Sequence, residues 1–523
     1  MKRFFLTILS LAGTGTIFAQ NITDALRYST EDLNGTARYK AMSGAFGALG
    51  GDFSAININP AGGAVFSGSE IGFTIGNDKV KNKNTFLNST STQKSSDFAF
   101  NQFGVVFSIP NYNNDSKWKK FALALNYQTT RNFNGKDIYY AGNSSGNNLG
   151  DYFLYYANGI QQQDLMLNEY VNKQVVYTAT LTELYDRMAN ATRPFNFRNA
   201  LLGYTTRLID PTSGKRDIST SDSDTVADAT LQESTYVNNV SGKETRQIFD
   251  ISTQGNVKKY NINFATQYGD NLYMGVNLNP HQVDYLSITR HSEVYSNSTN
   301  IQNAFFRNEV KTTGSGFSFQ LGAIAKLTEN MRLGVSYASP TWYTLQDETA
   351  QYLETNNGTY YADPRIIVVY DEYKFRTPGA WTGSFAYIFG KNGIVSLDYV
   401  YKGYNNITFK TESLRGENDI IQNELRGTSS LRLGGEYRIK ALSLRAGWRY
   451  EQSPYKTTNK YVGDLIGYSL GAGYSFGSIR LDISYDTAKQ DNLFQAYESV
   501  LTTPAKISST RSNLLFTLSA KLF

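Results

Sequence analysis

The chain has 523 residues, with 50 basic and 45 acidic side chains, two histidines and no cysteine. Without cysteine there is no disulfide framework, thiolate metal site or lipidated N-terminal cysteine, and two histidines leave little room for zinc or Ser-His-Asp chemistry. A formal charge of +5, with no basic run interleaved with aromatics, argues against a nucleic-acid partner.

Aromatic residues make up 14% of the chain, and mean hydropathy is only −0.40. That balance suits strands that are apolar on one face only, although a soluble all-β array could share it. Residues 1–19 predict a cleaved export signal: Lys2 and Arg3 give a positive start, Phe4 to Leu11 an apolar core, and Ala19 a small residue before Gln20. Loss of Lys2 and Arg3 leaves +3 on the mature chain. No later segment offers about 18 consecutive apolar residues, so no helical span is expected.

Residues 20–69 are rich in Gly and Ala and lack alternation. A short helix is expected over Thr36 to Leu49, then a turn at Asn59-Pro60-Ala61-Gly62. From residue 70 the pattern changes. Stretches of about ten residues alternate apolar and polar, as Leu442, Leu444, Ala446, Trp448 and Tyr450 do against Ser443, Arg445, Gly447, Arg449 and Glu451. Aromatics at strand ends (Tyr450, Phe476, Tyr485) fit an interfacial girdle.

Strands are expected near 70–76, 101–109, 119–129, 257–268, 271–279, 315–327, 331–339, 381–389, 393–404, 429–439, 441–451, 465–476, 478–486 and 512–522. Short and long connections alternate between these fourteen, which places both chain ends on the short-turn, periplasmic side. Counting 283–294 and 366–376 as well would give sixteen and break the alternation. The 130–256 connection is far longer than an ordinary loop. Gln161 to Lys173 and Thr180 to Ala191 look helical within it. The terminal Phe523 resembles a barrel assembly signal, although it lies on the opposite parity to Leu518, Ala520 and Leu522.

Asn59-Pro60-Ala61, the Gly/Ala-rich segment before it and the strand pattern after it resemble the FadL/TodX family of outer-membrane transporters. So does the block Arg376-Thr377-Pro378-Gly379-Ala380-Trp381. The resemblance covers essentially the whole mature chain. It implies an all-β fold: a 14-stranded antiparallel transmembrane β-barrel over 70–523, with an N-terminal hatch over 20–69. The 130–256 connection becomes a long, partly helical extracellular insertion.

By the same resemblance the chain is a bacterial outer-membrane transporter, not an enzyme. It would pass hydrophobic small molecules such as long-chain fatty acids or hydrocarbons without energy input and deliver them sideways into membrane lipid. It would act as a monomer with no cofactor. The hatch and gate would be Asn57, Asn59, Pro60, Ala61 and Gly62. Some relatives serve as attachment or shuttle components of type IX secretion, and some carry a haem-receptor label. These are the alternatives on the same scaffold.

Several residues are weighed on chemistry alone. Arg445 and Arg449 share the wet parity with Arg432, Glu436, Asp482 and Asp486. They are candidates for a bidentate contact to a ligand carboxylate, against an internal ion-pair network that braces barrel and hatch. Ser469, Gly471, Gly473 and Ser475 make a smooth wall, for close backbone packing or a ligand tail. His281 and His291 are expected in or near loops, solvated rather than axial ligands. Asp222, Asp224 and Asp228 lack the spacing of a calcium loop.

Overall fold

The computed structural model describes residues 22–522 apart from 114, 172–173, 188–193, 214–233, 243 and 458–460. Residues 1–19, Asp222, Asp224, Asp228 and Phe523 therefore lie outside the described residues. Fourteen strands form the wall: β1 Glu70–Phe86, β2 Ser89–Pro110, β3 Trp118–Asn132, β4 Thr245–Tyr268, β5 Leu272–Tyr295, β6 Asn303–Lys326 and β7 Met331–Ala338. They continue as β8 Ala380–Phe389, β9 Gly393–Gly403, β10 Gly427–Ile439, β11 Leu442–Glu451, β12 Leu465–Ser475, β13 Ile479–Phe494 and β14 Ala505–Lys521. Each pairs antiparallel with the next. β14 returns to β1 in register from Glu70↔Lys521 to Thr85↔Lys506, so the sheet is closed. Closure leaves no unpaired edge to lipid.

The strand alternation has a physical cause. On β13 the odd residues Ile479, Leu481, Ile483 and Tyr485 are exposed outward, whereas Asp482, Ser484 and Asp486 are buried inward. No helix among the described residues is long and apolar enough to cross a membrane; the strands do the spanning.

Every expected strand is present, and the structure corrects their lengths. β4, β5 and β6 each run 24 residues, more than twice what a bilayer crossing needs. Most of 77–98, 280–314 and 487–511, expected as loops, is strand. Above the membrane the outer face meets water and the buried inner face is largely polar, so Lys79, Lys81 and Lys83 alternate with Val80, Asn82 and Asn84 without an apolar signal. The 283–294 stretch is the upper part of β5. The 366–376 stretch holds only the short pieces Val368–Val369 and Tyr373–Arg376, paired to an extracellular strand at Trp342–Thr355. The count is therefore fourteen.

The N-terminal segment lies inside the tube. Helix α1, Ile22–Ser29, is followed by α2, Ala37–Ala41, capped by the Thr36 side chain. The helix expected over Thr36 to Leu49 stops early because Ser43 and Gly44 adopt φ of 50° and 81°. The Asp398 carboxylate then takes the next two amides, Phe46 N at 3.0 Å and Gly47 N at 2.9 Å. The expected turn at Asn59 to Gly62 begins a 3-10 helix, Pro60–Val65.

In the insertion the described helices are α3 Leu149–Ala157, α4 Leu181–Arg187 and α5 Pro194–Thr205. The expected helix over Gln161 to Lys173 is instead a 3-10 turn, Gln162–Leu165, and a strand, Asn168–Val171. Extended backbone at Met166 leads into a β-branched hairpin there. α3 and α5 share a buried apolar cluster with the upper wall that includes Tyr152, Phe153, Leu201, Leu202, Phe249 and Phe306.

Candidate functional site

Three features follow one another from the extracellular end inward: an aromatic chamber, a polar cavity and the hatch. The chamber has a volume of about 220 Å³. Its walls include Tyr152 of α3, Phe195 of α5, Tyr285 of β5, Phe306 of β6, Tyr370 and Tyr497. Asn148 and Asp151 cap α3 reciprocally. The Glu293 carboxylate of β5 fixes that helix end to the wall, accepting from Leu149 N at 2.8 Å. Arg198 of α5 lies over the Tyr185 ring at 5.3 Å. Offset and edge-to-face ring pairs, such as Phe153–Phe306 at 5.2 Å, hold the aromatics in fixed poses.

The floor of the chamber is α1. Arg27 pairs with Asp24 and sits 4.4 Å over the Tyr285 ring. Tyr28 packs edge-on to Tyr285. Beneath α1 lies a more polar cavity of about 160 Å³, whose lining includes Glu31, Lys259, His281, Lys402, Arg432 and Glu451. Burial would raise the Glu31 carboxyl, but Lys259 and Lys402 outweigh it and hold it below the usual range.

Below the cavity the hatch is held mainly by its backbone. A ring of wall side chains donates to successive hatch carbonyls: Asn126 to Phe53 O at 2.9 Å, Asn277 to Ile56 O at 2.8 Å, Gln320 to Asn57 O at 3.0 Å, Ser336 to Ile58 O at 2.7 Å and Asn263 to Pro60 O at 2.9 Å. Asn59 reads in the other direction. Its Nδ2 donates to Gly47 O at 2.8 Å and to Ala323 O of β6 at 3.0 Å, and its Oδ1 accepts from Ala61 N at 3.1 Å. Asn57 Nδ2 donates to Gln128. Pro60 starts the 3-10 helix, where no amide donor is needed. Ala61 and Gly62 are buried, and Gly62 packs on the Gly50 backbone. At Gly275 and Gly322 of the wall a Cβ would meet Pro60 and Asn59 themselves.

The sequence reading charged this lumen but missed the amides. Asn261 and Asn263, and Asn277 and Asn279, stand at the wet parity of two adjacent strands, which was the available signal. Arg445 is fully buried against Glu436 at 2.6 Å and Asp482 at 2.8 Å. Glu436 also takes Arg38 of α2 at 2.9 Å, and Lys40 pairs with Asp486 at 2.8 Å. Arg449 lies 3.7 Å from Glu451 and 3.9 Å from Asp486. The smooth wall of β12 faces α2: Ser469 bonds Ser43 and Ala41 O, and a Cβ at Gly471 would meet Ala41.

The histidines correct the loop expectation. Both lie on β5 and are buried. His291 stacks on Phe249 at 3.9 Å, meets Tyr497 OH at 3.0 Å, and lies 3.2 Å from Glu293. His281 meets Ser318 Oγ at 2.9 Å. Long strand extensions carry them inside the tube.

One stretch of wall lacks a backbone ladder. β2 pairs with β3 only from Gln102↔Gln128 downward. Above that, β3 shifts register near Thr129 and Arg131 and stays with β4, as does the strand Ile138–Ser144. Side chains bridge the split: Ser91 Oγ donates to Tyr139 O, Ser95 Oγ meets Gly135 O, and Asn132 Nδ2 donates to Asp97 at 2.9 Å. Ile138, on the same short segment, lines the aromatic chamber. At the base of the split Phe100 stacks on Tyr127 at 5.8 Å.

Comparison with known proteins agrees with this architecture. A FadL homologue of Pseudomonas aeruginosa superposes with a TM-score of 0.54 at 13% identity, over 95% of this chain and 100% of that one. The P. putida toluene transporter TodX aligns at 14% identity over 94% and 99% of the two chains, with a TM-score of 0.49. No curated protein sequence matches. The family described as outer membrane protein transport protein (OMPP1/FadL/TodX) matches residues 237–522, more than half of the chain, which therefore belongs to that outer-membrane family.

Proposed function

We propose that this protein carries hydrophobic small molecules, long-chain fatty acids or hydrocarbons, passively across the outer membrane's polar face and releases them sideways into membrane lipid. The observation that carries the reading is the aromatic chamber set against a split in the barrel wall. An apolar ligand gains about 25 cal/mol per Å² buried in such a chamber, with no energy source required. Exit runs through the split between β2 and β3, at Ser91, Ser95 and Asn132. Asn57, Asn59, Pro60, Ala61 and Gly62 keep the axial path shut. Arg445 and Arg449 are assigned to bracing the hatch side rather than gripping a ligand head group. The barrel acts as a monomer, with bilayer lipid as acceptor.

The chain has no cysteine, so a Ser95→Cys/Gly135→Cys pair gives a clean lock. Cells carrying it should take up a labelled alkane or fatty acid under reducing conditions and stop when oxidised. A protonophore should not change uptake by wild type. Equal uptake in both redox states across a broad hydrophobic panel would sink the proposed exit. Loss of uptake with a protonophore would sink the passive mechanism.

A further inference from the structure

The outer face of the barrel above its apolar band is not uniform. On β5, β6 and the neighbouring Trp342–Thr355 strand, three basic residues have acidic partners: Arg290 with Asp250 at 3.6 Å, Arg307 with Glu309 at 3.1 Å, and Lys311 with Glu348 at 3.4 Å. On the neighbouring strands β2, β1, β14 and β13 the outward lysines, Lys506 apart, form no ion pair among the described residues. Lys79, Lys81, Lys83, Lys94, Lys489 and Lys506 all point outward, exposed. The register places them together. Lys81 stands directly opposite Lys94, and its other neighbour, Thr510, stands beside Lys489. Among the described residues the ion pair recorded in this group is Lys506 with Asp491, at 3.9 Å.

This arrangement is unfavourable on its own. Like charges directly opposite across strands destabilise a sheet, and Lys79, Lys81 and Lys83 repeat every second residue on one face, about 7 Å apart. Two residues below Lys79 the level is apolar: Asn77 lies beside Phe98 on β2 and Leu514 on β14, followed by Ile75, Phe100 and Phe516. The lysines therefore stand at head-group height on the long-loop, extracellular side. A groove of about 770 Å³ adjoins them, with Ile466 and Tyr468 beside Lys489 and Lys506, and Asp464 and Asp491 also in its lining.

We infer that this face binds a phosphate-bearing glycolipid of the outer leaflet, its phosphates among Lys79, Lys81, Lys83 and Lys94 and its acyl chains along the apolar band below. Clustered lysines at a membrane surface attract anionic lipid, and the phosphates offset the repulsion between Lys81 and Lys94. The site is on the outside of the wall, so it is independent of the cargo and of the hatch.

The test uses the full mature chain in detergent, with native mass spectrometry against three probes: bisphosphorylated lipid A, dephosphorylated lipid A and inorganic phosphate. Wild type should retain the bisphosphorylated lipid at least about tenfold better than the dephosphorylated one. The Lys79→Ala/Lys81→Ala/Lys83→Ala variant should lose at least about tenfold of that retention, while Lys311→Ala, from the paired side, keeps it. Lys81→Glu should lower lipid retention yet raise thermal stability in lipid-free detergent, because it faces Lys94. Barrel integrity is read from heat-dependent gel mobility. Retention by an intact triple variant, equal binding of dephosphorylated lipid, or displacement by equimolar inorganic phosphate overturns the inference.

Discussion

Asn59 offers the sharpest test of how the hatch is held. It is 1% exposed, and the three shortest bonds of its side chain are a cap to Ala61 N, a donor to Gly47 O within the hatch, and a donor to Ala323 O in the wall. Replacing it with alanine removes a cap, typically ~1 kcal/mol, and two buried hydrogen bonds at ~1 kcal/mol each. The sum of about 3 kcal/mol shifts the balance between seated and loosened hatch by about 100-fold. Single-channel recording in planar bilayers should show frequent open events in Asn59→Ala that wild type lacks. Asn59→Asp separates the two roles. It keeps the cap acceptor but turns a second carboxylate oxygen toward two carbonyls, so it should be at least as leaky as alanine. If Asn59→Ala stays closed and Asn59→Asp matches wild type, the hatch is held by the amide ring of the wall alone and the reasoning fails.

Other expectations follow from the same contacts. Glu436→Gln removes the carboxylate shared by Arg38, Arg438 and Arg445; Arg445 keeps Asp482, but leaving the buried Arg38 guanidinium without its carboxylate should cost about 3 kcal/mol, seen as a lower apparent Tm in detergent, and an unchanged Tm would show the network is slack. Gly322→Ala places a methyl against Asn59 and should cost about 1–3 kcal/mol by overpacking; hydrogen exchange should rise in the hatch rather than in β6. Lys136, in the extracellular loop after β3, is pushed down to about 7, chiefly by burial and then by Arg511, against the pull of Asp32. Its folded value lies below its unfolded one, so the unfolded chain binds more protons between pH 7 and about 10.5. Stability should therefore rise with pH across that window and less so in Lys136→Met; parallel Tm profiles would contradict this.

How much of this was legible depends on where each residue sits. In the membrane zone of β13, lipid outside and hatch inside enforce opposite demands on Ile483 and Ser484, so the alternation is written in the sequence and all fourteen strands could be read. Six residues higher the demand vanishes. Lys489 and Gln490 both tolerate water, and the strand continues unseen. The histidines were misplaced for the same reason: β5 runs on past His281, at the edge of the band, and carries His291 well above it, both into the interior of the tube. Asn59-Pro60-Ala61 was readable as a motif, because a cap and a proline at a helix start are local. The wall groups that hold the hatch were not, since Asn263, Asn277 and Gln320 lie more than two hundred residues away and amides carry no charge pattern. The early stop of α2 rests on Asp398, also distant.

On the proposed function, the different characters of the two cavities set the direction of travel. A molecule in the upper chamber rests on Tyr152, Tyr285, Phe306 and Tyr497 and leaves water behind. Moving down past α1, it enters a smaller space held by Glu31, Lys259, Lys402 and Arg432. There it must strip solvation from buried charges at several kcal/mol each, and the apolar contacts on offer, such as Val257, Tyr343 and Val400, are interleaved with those charges. Below that, the amide ring and Asn59 seal the hatch backbone. Moving sideways past Ile138 is cheaper. The wall at that height is joined by separate side-chain hydrogen bonds, from Ser91, Ser95 and Asn132 and from Asn82 and Asn84 of β1, worth about 1 kcal/mol each, rather than by a ladder that must unzip as a unit. Beyond them stand the exposed rings of Phe98 and Phe100 and the bilayer. The polar lumen and the unladdered wall are thus complementary: the first makes the axis uphill for an apolar molecule, and the second leaves one low barrier at the side.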